Sequence, residues 1–137
     1  MLEKSPVKLI PVVYVVYKSK GGLWRGFCTP YDVTCNAESM SEAKERLDKL
    51  VELYEEGLKK YHNPRRLVFK KLSDKEDKVL FEKIVWPKIS QDIQKRMLAS
   101  YLNYSQSFEE KGKEESSIRG SGFNAFYTHR SLAASPY

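Results

Sequence analysis

Residues 12–61 read VVYVVYKSKGGLWRGFCTPYDVTCNAESMSEAKERLDKLVELYEEGLKKY. Val12–Tyr17 is β-branched and aromatic with no polar alternation, the pattern of a strand that lacks water on both faces. Pro11 cannot donate to a ladder, so it marks a strand start or an edge. Lys18-Ser19-Lys20-Gly21-Gly22 is a turn, and its glycines can take positive φ. Leu23–Cys28 returns as a second strand, with Leu23, Arg25 and Phe27 on one face and Trp24, Gly26 and Cys28 on the other. Thr29-Pro30-Tyr31-Asp32 turns again, and Val33–Ala37 is a short third strand. Ser39-Met40-Ser41-Glu42 is a capping box. The helix that follows carries Ala43, Leu47, Leu50, Val51, Tyr54, Leu58 and Tyr61 at spacings of three and four, one apolar stripe. Asn63-Pro64 stops it.

Working outward, Arg66–Leu72 (RLVFKKL) reads as a fourth strand. Ser73-Asp74-Lys75-Glu76 repeats the capping-box spacing, which predicts a helix over 74–85. Pro87 breaks or restarts it, and Ser90 caps a last helix to about Tyr104, with Ile93, Met97, Leu98, Tyr101 and Leu102 on one side. After Ser105 the charges balance and Gly, Ser and Asn rise, the composition of a mobile tail. The expected fold class is α+β: a small antiparallel sheet of three to four strands, one long amphipathic helix on one face, and one or two shorter C-terminal helices. The chain divides accordingly into a β-β-β-α-β domain (1–72), a helical extension (73–104) and a tail (105–137). One helix covers one face of a sheet. The other face, with alternate residues of Val12–Tyr17, is left for a partner, a second subunit or the chain's own residues 74–104.

The totals fit a protein that folds in water: 137 residues, 41% hydrophobic and 31% charged. The longest apolar run, Leu9–Tyr17, is about half of what a membrane span needs. The N-terminus lacks the apolar core of a signal peptide, so a cytoplasmic location and no membrane partner are expected. Two cysteines, Cys28 and Cys35, far from His62 and His129, make neither a disulfide scaffold nor a zinc site. No phosphate-binding glycine motif occurs, and Gly21-Gly22 sits in a hairpin. Cys28 has no base beside it in sequence, and Asp32 is a turn carboxylate. The expectation is a non-enzymatic protein without cofactor or metal.

Charge is where the sequence speaks of contacts. The net formal charge is +6, but residues 38–56 hold seven acids and three bases, and residues 57–72 hold six bases and no acid. The acids of the helix, with Glu45, Glu52 and Glu56 outward, suit a basic partner. Tyr14, Val16 and Trp24 on the sheet would add apolar contact. The bases Lys59, Lys60, Arg65, Arg66, Lys70 and Lys71 form a strip that could hold phosphates.

The strand PVVYVVY, the GG hairpin, LWRGFCTPYDV and then AESMSEAKERLDKLVELYEEGL resemble the HicB family of antitoxin-like proteins. Cys28-Thr29-Pro30-Tyr31-Asp32 fills the family's Cys-Pro-x-Leu region. Glu38-Ser39-Met40-Ser41-Glu42-Ala43 fills its G-D-T-x-E-E-A region, with Ala37-Glu38 where the family carries glycine. The match spans roughly 50 residues. The resemblance implies a partial RNase-H-like or double-stranded-RNA-binding-like sheet. It further implies a self-associating antitoxin that covers the active site of a small basic mRNA-cleaving toxin. The family often represses its own operon, yet no ribbon-helix-helix or helix-turn-helix reader follows here. The alternative is a stand-alone nucleic-acid-binding regulator that uses the strip Lys59–Lys71.

Overall fold

The central strand, β1 (Val7–Lys18), has neighbours on both sides and layers on both faces. A computed structural model describes residues 7–102, 115–120 and 122–133. The sheet has five antiparallel strands in the order β3-β2-β1-β5-β4. Beside β1 come β2 (Trp24–Thr29), β3 (Val33–Ala37), β4 (Ser116–Gly120) and β5 (Phe123–Ala133). Residues 12–17 are buried throughout, as their unbroken apolar run requires. Pro11 lies where β1 has β5 beside it but has not yet met β2, whose pairing starts at Val13. The fold class is α+β as expected, with more strands than expected.

Helix α1 (Met40–Lys60) covers one face. Ser39 accepts from the Glu42 amide and caps it. Val12 and Tyr14 of β1 pack with Leu47, Val51 and Leu58 of α1 in one apolar cluster, and Val16 packs with Ala37 and Ala43 in another. Gly26 is where the helix comes closest. A Cβ there would lie 3.0 Å from the Cys35 sulfur, 3.4 Å from Leu47 and 3.5 Å from the Ala43 carbonyl oxygen. The C-terminus of α1 is a Schellman motif: His62 N–H donates to the Lys59 carbonyl and Asn63 N–H to the Leu58 carbonyl. His62 and Asn63 hold positive φ, at 58° and 52°.

Three expectations are corrected beyond this point. The segment expected as a fourth strand is a single helical turn, α2 (Arg65–Val68). Pro64 presets the turn, and its carbonyl accepts from Leu67 and Val68, which lay Val68 against Leu58.

Of the one or two C-terminal helices expected, the structure has one continuous rod, without the restart expected at Pro87 and Ser90. It comprises α3 (Lys75–Leu80), a π-helical turn (Phe81–Val85) and α4 (Trp86–Leu102). Asp74 rather than Ser73 is its cap, accepting from the Asp77 amide. The Ser73 hydroxyl instead donates to Asp32. Pro87 would meet the carbonyl of residue 83 in a regular helix. The wider turn, in which Trp86 N–H reaches the Phe81 carbonyl, relieves this without breaking the rod. Ser90 is therefore inside α4 and caps nothing.

The expected mobile tail supplies two strands. Phe123, Ala125 and Tyr127 alternate with Asn124, Phe126 and Thr128, a period of two that sends the first set under α4. Gly120 pairs with Phe123, and its missing Cβ makes room for the Phe123 ring. Residues 103–104 of the expected last helix, and 105–114, 121 and 134–137 of that tail, lie outside the described residues.

The rod closes the second face of the sheet. Val13, Val15 and Tyr17 of β1, Phe27 of β2 and Phe123, Ala125 and Tyr127 of β5 are buried with Val85 and Ile89. Of the three occupants left open by the sequence, the chain's own helix is the one on this face.

Candidate functional site

Closure of both faces moves the candidate site off the sheet. Tyr14 is 3% exposed and Val16 is 0%, both beneath α1. Trp24 is half-buried and packs on the cluster of Val16, Ala37 and Ala43. Tyr14 and Val16, expected to touch a partner, belong to the interior, and Trp24, expected with them, is half-buried at its edge. The cause is the length of α1, whose 21 residues span the sheet and roof the face that carries them.

Tyr14 has a polar role there. Its hydroxyl accepts from Arg130 at 2.8 Å, and Arg130 of β5 pairs with Glu55 of α1 at 3.0 Å. The Tyr31 hydroxyl donates to the same Glu55 at 2.9 Å, and the Thr128 hydroxyl bonds Arg130. So one helix acid is turned inward and ties α1, β1, β5 and the β2–β3 turn together. Burial pushes the Tyr14 and Tyr31 phenols far above their ordinary range, so both stay protonated. Burial also raises the Cys28 thiol well above its usual value. Cys28 and Cys35 are both free thiols, and Cys28 is a packed strand residue.

The outward side of α1 is different. Glu45, Glu52 and Glu56 are exposed, and Asp48 continues their row at spacings of three and four. The Glu45 side chain is 71% exposed and that of Asp48 48%. On the flank beside this row, Leu50 and Leu53 stand in water at 40% and 64% exposure. On the opposite flank an open groove of about 530 Å³ runs between α1 and β5, lined by Met40, Ser41, Lys44, Glu45, Asp48 and Phe126. Lys44 sits 4.7 Å from the Phe126 ring centre while pairing with Asp48 and Glu115. The sequence concealed this groove, because Phe126 and Glu115 lie some seventy to eighty residues along the chain from Lys44.

The six bases of the strip are all exposed. Among the described residues none of them forms an ion pair, whereas Lys44, Arg46 and Lys49 on α1 each hold an acid. Also among the described residues, no group of three or more His, Cys, Asp or Glu is placed to hold a metal ion, and no helix is long and apolar enough to cross a membrane. No family model, curated protein or solved structure matches the chain.

Proposed function

We propose that the chain is a non-enzymatic, HicB-like antitoxin-type binding protein that holds a small basic RNA-cleaving toxin against the outward face of α1. The observation that carries this is the exposed acidic row Glu45, Asp48, Glu52 and Glu56 lying beside the exposed Leu50 and Leu53. Acids steer a basic partner toward the helix, and the two leucines give it apolar surface to bury. The β-β-β-α order at residues 7–60 is the one the resemblance implies. The departure at Ala37-Glu38 is compatible with it, because neither residue has positive φ and no glycine is needed there. Self-association belongs to the same proposal, as does a cytoplasmic location.

The test is co-expression with the small basic reading frame next to the gene. The wild-type chain rescues growth and co-purifies with that product. Reversing three exposed charges together (Glu45→Lys, Glu52→Lys, Glu56→Lys) cuts the affinity at least about tenfold, mostly by slowing association, with the fold unchanged. An unchanged affinity in the triple variant, or no rescue by the wild type, rules the proposal out.

A further inference from the structure

The basic strip has no part in holding a basic partner, and its surroundings show more than charge. The last turn of α1 and the whole of α2 form one preset surface. Leu58 and Val68 share an apolar cluster, the Tyr54 hydroxyl bonds the Leu67 carbonyl, and Lys70 N–H donates to the Pro30 carbonyl at 2.8 Å. Two rings stand out from this surface among the cations: Tyr61 at 69% exposure and Phe69 at 50%. The helix dipole accounts for Lys59 and Lys60, which sit at the negative end of α1. It does not account for Arg65 and Arg66, which open α2 with no acid beside them. Nor does folding account for two aromatic rings left in water within nine residues.

We propose that this surface is a binding site for single-stranded nucleic acid, with the cations on the phosphates and Tyr61 and Phe69 stacked on unpaired bases. Exposed rings interleaved with unpaired cations match that ligand, since every base offers a flat face and every nucleotide a charge. A duplex keeps its bases stacked, and α2, a single turn of four residues, is too short to read a groove. An acidic protein would satisfy the cations and could bury the rings, and competition by poly-glutamate separates it from a strand in which flat bases alternate with charges. The site lies beyond the acidic row of α1 and does not depend on toxin binding.

Fluorescence anisotropy with a labelled single strand of about 12 nucleotides tests it. Binding is expected to weaken with salt, with a log–log slope of roughly −0.7 for each phosphate held. Replacing Arg65, Arg66, Lys70 and Lys71 by Gln flattens the slope by about 3, which is four such contacts. Replacing Tyr61 and Phe69 by Ala lowers affinity tenfold or more and leaves the slope as it was. Both sets are on the surface, and circular dichroism verifies that each variant folds. The proposal is overturned by no binding to the single strand, by equal affinity for the matching duplex, or by equal competition by poly-glutamate of the same charge. An affinity insensitive to loss of both rings also overturns it.

Discussion

The two faces of β2 belong to the same six residues, yet they hold their helices in opposite ways. Toward α1 the strand presents Gly26, and the helix descends until its backbone is near van der Waals contact. Toward the α3–α4 rod it presents Phe27, which meets Tyr17 edge-on at 6.1 Å and Phe81 at 6.4 Å, and Phe81 in turn meets Trp86 at 5.9 Å. The polar ties differ in the same sense. Under the rod, Asp77 is 0% exposed and accepts from Tyr17 at 2.7 Å and from Nε and Nη2 of Arg25, each at 2.8 Å. Under α1, Glu55 keeps 18% of its side chain exposed and its partner Arg130 32%. One face is therefore sealed by rings around an ion pair whose carboxylate is fully enclosed while its arginine is 18% exposed. The other is closed by direct helix contact and leaves its ion pair in touch with water. On the sealed side the sheet itself has no surface left for a partner. The α1 side retains the groove, the acidic row and the strip.

The largest expected effect comes from breaking the Asp77–Arg25 pair. Asp77→Ala removes both carboxylate hydrogen bonds of Arg25, leaving it Asp74 at 3.7 Å, and takes the acceptor from the Tyr17 hydroxyl. It should cost about 3 kcal/mol in urea denaturation, the low end for a broken buried pair, because Arg25 is 18% exposed and keeps Asp74. Glu55→Ala should cost less, about 1–3 kcal/mol, because Arg130 can turn to water and keeps its bonds to Tyr14 and Thr128. A Glu55 variant as damaging as the Asp77 variant would break the contrast between the faces.

Gly26→Val probes the other half of that contrast. Valine suits a strand, so a strand-only view expects stabilisation. Its methyls have no space under Ala43 and Leu47, so overpacking of about 1–3 kcal/mol should win. The loss should be recovered in part by Leu47→Ala in the same chain, since the two sites share one volume. A stable Gly26→Val single variant would mean that α1 rides higher on the sheet than its contacts indicate.

How much of this could be read beforehand follows from how local each signal is. The unit from β1 to α1 was legible, because turn glycines, a capping serine and a stripe at spacings of three and four are all short-range features. Burial of β1 on both faces was legible in its unbroken valines and tyrosines. What covered the second face was not, since nothing in Val12–Tyr17 says which distant segment meets it. The tail was misread on composition. Phe123-Asn124-Ala125-Phe126-Tyr127-Thr128 has the period of a strand, and Gly120 and Gly122 mark its hairpin, but Gly, Ser and balanced charge outweighed a signal only a few residues long. The segment Arg66–Leu72 failed the other way, because apolar and basic residues at mixed spacing suit a strand or a turn equally until Pro64 decides. Of the expected site residues, the charged ones fell outside and the apolar ones inside, as desolvation dictates.

The smallest effect concerns His129, at the far end of β5 on the sealed side, where its ring meets Tyr127 edge-on at 6.3 Å. Burial holds its imidazole below the ordinary value of 6.5. Burial disfavours the charged form, so between the folded and unfolded pKa the unfolded chain binds more protons, and stability must rise with pH across that interval. His129 thus subtracts nothing above the unfolded value and subtracts progressively as pH falls below it, until the folded value is passed. Thermal midpoints at about pH 7.5 and about pH 5.5 should fall further for the wild type than for His129→Gln. The carboxylates titrate in both chains and cancel in the difference. A larger fall in the variant would mean that protonation of His129 stabilises the folded chain, and that this corner of the second face is open to water rather than sealed.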